Sequence, residues 1–181
     1  MKKILVTRRL LRSCEDKAKE IFDANLNLND ELYSQKKLWK ARHDVYYSVK
    51  ALGHDMKVYS TDVCVPISRL VECISWAEKE VQKLGLTAPM VGHVGDGNFH
   101  SIVLYDPDDE DKQKRIRQYS DDLINKALEL EGTITGEHGI GLQKKHYLLR
   151  EHPDNVPVMK SIKRSIDVNN IMNPGKIFDL N

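Results

Sequence analysis

Gly92-His93-Val94-Gly95-Asp96-Gly97-Asn98-Phe99-His100 is the stretch from which the fold of this chain can be worked out. Asp96-Gly97 is a hairpin signal, because the tight turns that suit twisted strands need positive φ, which Asp and Gly tolerate. Counting outward from that turn, Gly95 opposes Asn98, Val94 opposes Phe99 and His93 opposes His100. Directly opposed residues share a face, with Cβ atoms about 4.5 to 5.5 Å apart. The pairing therefore predicts two imidazoles side by side, which suits a polar rim or a stacked pair as well as a bidentate metal clamp. Gly136-Glu137-His138-Gly139-Ile140-Gly141 offers a carboxylate and a third imidazole between glycines. Two such segments in one short chain favour a site.

Working outward, residues 14–24 carry a helical pattern, and Asn25 to Asp30 breaks it as a loop or short strand. Apolar residues from Leu32 to Val49 predict a helix over 31–52, with Gly53 as its stop. Residues 56–65 read as a strand ended by Pro66. An amphipathic helix follows from Ile67 to Leu84 and is capped by Gly85. Met90 to His93 and Phe99 to Tyr105 are the hairpin strands. Asp106-Pro107 predicts the start of the next helix, with Pro in its first turn, and Ile116, Tyr119, Leu123, Ile124 and Ala127 mark its inner side. Further helices are expected around His146–Arg150 and after Asp154, the latter with Met159, Ile162 and Ile166 as its stripe. That helix must end by Asn173-Pro174, and the chain then runs extended. Long amphipathic helices packed against an antiparallel sheet make this an α+β fold.

Composition narrows the function. At 181 residues with 40% hydrophobic, the chain can bury one sizeable core. A net charge of +1, from 28 basic and 27 acidic residues, provides no field for nucleic acid or an anionic membrane. The apolar runs are too short for a membrane span. Three cysteines without zinc-knuckle spacing fit reduced thiols, and Cys64 and Cys73 fall in apolar patterns. The basic, apolar start before Glu15 fits either a transit peptide or a basic helix.

His93-x-Gly95-Asp96-Gly97-Asn98-x-His100, Gly136-Glu137-His138-Gly139-Ile140-Gly141 and Asn173-Pro174-Gly175-Lys176, in that order, resemble the C-terminal domain of FAD-linked oxidases. Among these, the flavin-dependent D-lactate dehydrogenases are most similar, with D-2-hydroxyglutarate dehydrogenases and glycolate oxidase subunits as near relatives. Leu38–His43 and Tyr59–Pro66 extend the likeness upstream. It covers 31–181, whereas 1–30 forms a poorly matched arm.

The resemblance implies an FAD-dependent D-2-hydroxy-acid dehydrogenase in which His93, His100 and Glu137 hold a divalent metal, zinc or manganese. The substrate's carboxylate and α-hydroxyl would chelate it. By the same likeness, His138 is the base that takes the hydroxyl proton, Arg42 anchors the carboxylate, Asn98 steadies a histidine or reaches substrate, and Asn173 and Lys176 lie near the flavin. In the glutarate-type relatives a lysine stands in the strand where this chain has Tyr59-Ser60-Thr61-Asp62. Ser60 and Thr61 cannot bind a second carboxylate, so D-lactate is the expected substrate. The resemblance also implies a mitochondrial setting, and cytochrome c or a quinone as electron acceptor. Such enzymes bind FAD through an N-terminal domain of roughly 200 residues, for which this chain has no room, so an isolated chain is expected to need a flavin-binding domain or subunit. The competing expectations are a non-catalytic fragment or partner subunit, and a metallohydrolase using a metal-bound water.

Overall fold

In the computed structural model, which describes residues 3–6, 23–26, 32–53 and 55–180, the chain divides into two units, Met1–Ala51 and Leu52–Asn181. Within the first, β1 (Lys3–Val6) and β2 (Asp23–Leu26) pair in parallel, and α1 spans Leu32–Lys50. The helix expected over 14–24 lies outside the described residues up to position 22, as does the basic N-terminal segment apart from β1. Its last two positions open β2 instead, where Asp23 and Asn25 are poor helix formers.

The second unit carries β3 (Lys57–Ser60), β4 (Val63–Cys64), α2 (Ile67–Lys83), β5 (Met90–His93), β6 (Asn98–Tyr105), α3 (Glu110–Glu129), α4 (Lys145–Glu151) and α5 (Asn155–Ile166). It is the expected α+β arrangement. Strand β6 is its hub and pairs antiparallel with β3, β4 and β5. Helix α2 turns Leu70, Cys73, Ala77 and Val81 inward, and α3 turns Ile116, Tyr119, Leu123, Ile124 and Ala127 inward. These side chains meet Val63, Phe99, Val103 and Ile134 in one core. Each large side chain buried there contributes roughly 1.5–3 kcal/mol, which fixes the sheet that carries the hairpin histidines.

Four local differences from the sequence expectation have physical causes. The strand expected over 56–65 breaks at Thr61 and Asp62, both buried, because their side chains bond to other segments. Helix α3 starts at Glu110 rather than at Asp106-Pro107, since the Asp109 carboxylate accepts from Lys112 N at 2.8 Å and caps it there. Asp106 instead closes a turn by accepting from Asp108 N at 2.9 Å. Helix α5 stops at Ile166, well before Asn173-Pro174, because the Asp167 carboxylate accepts from Ile171 N and Met172 N at 3.0 and 2.9 Å. The tail beyond it runs as a series of turns rather than extended.

The hairpin register is also displaced. His93 pairs with Asn98, Gly92 with Phe99 and Val91 with His100, a shift of two from the counted pairing. Val94–Asp96 form a single 3-10 turn and only Gly97 takes positive φ, at 77°, so the connection has four residues rather than two. Because strand side chains alternate with period two, a shift of two returns every residue to its original face. His93 and His100 share a face as expected, but sit diagonally rather than directly opposed.

Candidate metal centre

Two of the candidate ligands, His93 and His100, come from the hairpin, whereas Glu137 and the expected base His138 come from the segment after Ile134. Glu137 joins them: its Oε1 lies 3.0 Å from His93 Nε2 and its Oε2 lies 3.5 Å from His100 Nε2. The His138 ring stacks on His100 with centroids 5.0 Å apart and planes 4° from parallel. One ligand atom each from His100, Glu137 and His138 lies within 4.8 Å of the other two. The hairpin strand that carries His100 and the glycine-flanked loop, far apart in sequence, therefore meet, with His93 reached through the other oxygen of Glu137.

His100 is oriented by a backbone contact. Its Nδ1 stands 3.0 Å from the Thr61 carbonyl, which can only accept, so this nitrogen carries a proton and Nε2 is the ring atom turned toward Glu137. Fixing the far nitrogen of an imidazole on a carbonyl is the usual way a metal-binding histidine is held in one tautomer. His100 and Asp62 are buried, whereas His93 and Glu137 are partly exposed, so the cluster has a closed side and an open one.

Asp62 occupies the closed side. Its Oδ2 accepts from Thr135 Oγ1 at 2.5 Å, Gly136 N at 3.0 Å, Glu137 N at 3.1 Å and His138 N at 2.9 Å. Its Oδ1 accepts from Asn98 Nδ2 at 2.9 Å. Burial alone would raise the Asp62 pKa, but the bonds from Thr135, the His138 amide, Asn98 and the Glu137 amide outweigh it and hold the carboxyl far below the usual carboxylate range. The sequence reading gave Asp62 no role. Its signal was an acid inside the apolar run Val58 to Val65, which looks like a surface charge until the loop folds over it. Gly136 permits the approach: a Cβ there would fall 2.2 Å from Asn98 Nδ2.

Asn98 is buried opposite His93. Its amide nitrogen donates to both Asp62 and the Val63 carbonyl, while Oδ1 is buried with no hydrogen-bond partner among the described residues. Beside the cluster, a cleft of about 320 Å³ runs along Tyr59, Ser60, Thr61 and His138 to Gln143 and Lys144. The Lys144 ammonium already donates to the Asp62 and Ile134 carbonyls, at 2.7 and 2.5 Å, and burial lowers its pKa against the pull of Asp62 and Glu151.

The remaining expected residues lie on other elements. Arg42 lies on α1 in the first unit, half-buried. Asn173 and Lys176 are exposed on the C-terminal turns. Those turns reach the loop after the cluster, because Ile177 N donates to Gly141 O at 2.8 Å and Lys145 Nζ donates to Gly175 O at 3.0 Å.

Comparison with known proteins agrees with this architecture. A probable mitochondrial D-lactate dehydrogenase of Danio rerio is 48% identical over 149 residues, covering 81% of this chain and 30% of that protein. The mitochondrial D-lactate dehydrogenase [cytochrome] of Arabidopsis thaliana is 38% identical over 149 residues, covering 82% of this chain and 26% of the relative. The chain thus spans under a third of the length of these relatives. A solved 4-ethylphenol oxidase from Gulosibacter chungangensis superposes with a TM-score of 0.55 over 78% of this chain and 30% of its own, at 19% identity, a likeness of fold. The model of the FAD linked oxidases, C-terminal domain, matches residues 5–177, and the chain belongs to that family.

Proposed function

We propose that the chain is the substrate- and metal-binding part of an FAD-dependent D-2-hydroxy-acid dehydrogenase, acting on a short monocarboxylate such as D-lactate. The observation that carries this reading is that Glu137 bridges the two hairpin imidazoles, one oxygen to each, while His100, Glu137 and His138 each place a ligand atom within 4.8 Å of the other two. The donor set fits a divalent cation, zinc or manganese, because two imidazoles and one carboxylate leave positions open, as a catalytic centre requires. The carbonyl-held tautomer of His100 fits it too. A cation held there would lower the pKa of a substrate hydroxyl, and FAD would supply the hydride acceptor.

The chain's own residues do the rest. His93, His100 and Glu137 hold the cation, and His138 takes the substrate's hydroxyl proton. Asn98 Oδ1, buried with no hydrogen-bond partner among the described residues, is the acceptor this residue would offer the substrate. Arg42 pairs with the substrate carboxylate, for which its planar fork is suited, and Asn173 and Lys176 lie toward the flavin. The preference for a monocarboxylate rests on the strand beside the cleft. Ser60 Oγ donates to Thr61 O at 3.3 Å, Thr61 Oγ1 accepts from Ser101 N at 2.8 Å, and Lys144 is bound to two carbonyls. None of these groups offers a free cation to a second carboxylate. A flavin-binding domain or subunit as partner, cytochrome c or a quinone as electron acceptor and a mitochondrial setting complete the reading; of these, the names of the relatives carry the words mitochondrial and, in one case, cytochrome.

Equilibrium dialysis of the purified chain against Zn²⁺ or Mn²⁺ tests it. The wild type is expected to retain one ion, while His93→Ala and His100→Ala lose it. His138→Ala keeps the ion, and with a separately produced flavin-binding domain its D-lactate-dependent reduction of an artificial acceptor falls by about 10²-fold or more. Full metal content in both hairpin variants would overturn the centre. Loss of the ion from His138→Ala would move that ring into the ligand set.

A further inference from the structure

We propose that Asp62 is the positioning residue of this centre: its carboxylate is the anchor around which the Thr135–His138 segment folds, and so sets where Glu137 and His138 stand relative to His100. The proposal rests on the metal reading above and extends it to a residue that touches neither cation nor substrate.

The observation is the number and source of the donors. Thr135 Oγ1 and the amides of Gly136, Glu137 and His138, from four consecutive residues, all point to one carboxylate, and Asn98 Nδ2 from β6 joins them. The segment has no regular structure of its own, so its amides have no ladder to satisfy them. Removing a carboxylate from water is costly, and only several charge-assisted bonds together offset that cost. The residue is thus specified by its surroundings: any neutral or shorter side chain leaves a group of converging donors without the acceptor they share.

Asp62 is also tied to the hairpin side. The carbonyl of its neighbour Thr61 accepts from His100 Nδ1 and the Thr61 hydroxyl accepts from Ser101 N, while Asp62 Oδ1 lies 3.7 Å from His100 Nδ1. One short break between β3 and β4 therefore orients ligands from both segments. Asparagine cannot replace it. Both carboxylate oxygens receive donors, so in either rotamer the Asn amide nitrogen would meet Asn98 Nδ2 or the Thr135–His138 donors head-on.

The test compares the full chain with Asp62→Asn in two measurements. Amide hydrogen exchange without metal reads the anchor directly. Gly136, Glu137 and His138 are expected to lose protection in the variant while β5 and β6 keep theirs. Titration with Co²⁺, followed by its visible absorption, reads the consequence, and the apparent Kd is expected to rise by about 10- to 100-fold. Unchanged protection of the three amides, or a wild-type Kd in the folded variant, overturns the proposal. If Asp62→Asn does not fold, Thr135→Val removes one donor to the same carboxylate. It is expected to weaken Co²⁺ binding by about 3- to 10-fold, and wild-type affinity there overturns the proposal equally. A wild-type chain that takes up no Co²⁺ counts against the metal reading, whereas the exchange measurement still judges the anchor.

Discussion

At the scale of single residues, the decisive side chain in the second unit is one whose charge is hidden. Asp62 is almost wholly buried and its pKa is lowered, because the hydrogen bonds to its ionised form outweigh the effect of burial. The sign of the linkage follows. A group whose folded pKa lies below its unfolded value of about 3.9 stabilises the fold fully above that pH and loses its contribution as pH falls toward the folded value. Acid unfolding of wild type and Asp62→Asn should therefore differ most above about pH 4, with the gap narrowing at lower pH. Chemical denaturation at a series of pH values checks this, and a gap independent of pH would mean that the carboxylate contributes shape rather than charge. The histidines and Glu137 were legible in the sequence because glycines and paired imidazoles mark them out. Asp62 was not, since its partners lie more than thirty residues away and nothing local distinguishes it from a solvated acid.

Among the elements, the hairpin shows how a wrong count can still give the right face. The pairing expected from Asp96-Gly97 placed both residues in the turn, whereas the chain uses Gly97 alone for positive φ and spends three more residues on a 3-10 turn. The two-residue slip left the alternation intact, so the two imidazoles and Glu137 still meet. Gly97 is the position this geometry depends on: its φ is 77° and a Cβ there would lie 1.9 Å from the Val65 carbonyl. Gly139 has nearly the same φ, 75°, but nothing within 4 Å of its missing Cβ. Alanine at Gly139 should cost about 1–2 kcal/mol for the left-handed backbone alone. Alanine at Gly97 adds a steric term of roughly 1–3 kcal/mol. Thermal unfolding of the two variants measures the difference, and equal losses would show that the turn relaxes away from Val65 without consequence. Element ends were the least legible feature, because Asp109 and Asp167 set them through side-chain bonds that a hydrophobic period does not reveal.

For the molecule as a whole, the apolar stripe expected for the last helix is half-buried at Met159 and exposed at Ile162 and Ile166. Val156 is buried, yet Val158, Ile162 and Ile166 on α5 and Val168, Ile171 and Met172 beyond it are exposed, Ile166 to 73%. Single exposed aliphatics are ordinary. Six within fifteen consecutive positions mark a surface that meets something else. The chain spans 30% of the length of its Danio rerio relative, and the proposed function already calls for a flavin-binding partner, so that partner is the occupant expected here. Ile162→Glu with Ile166→Glu should then leave the fold nearly unchanged, within about 0.5 kcal/mol per site, because these side chains contribute little to the core. The Co²⁺ affinity should also be unaltered, since neither residue belongs to the cluster. Association with a separately produced flavin-binding domain should weaken by about tenfold or more, as expected when central apolar anchors of an interface become charged. Isothermal titration of that domain with the wild-type and double-variant chains decides the matter. Equal affinities would remove α5 from the interface and leave its exposed stripe to some other contact.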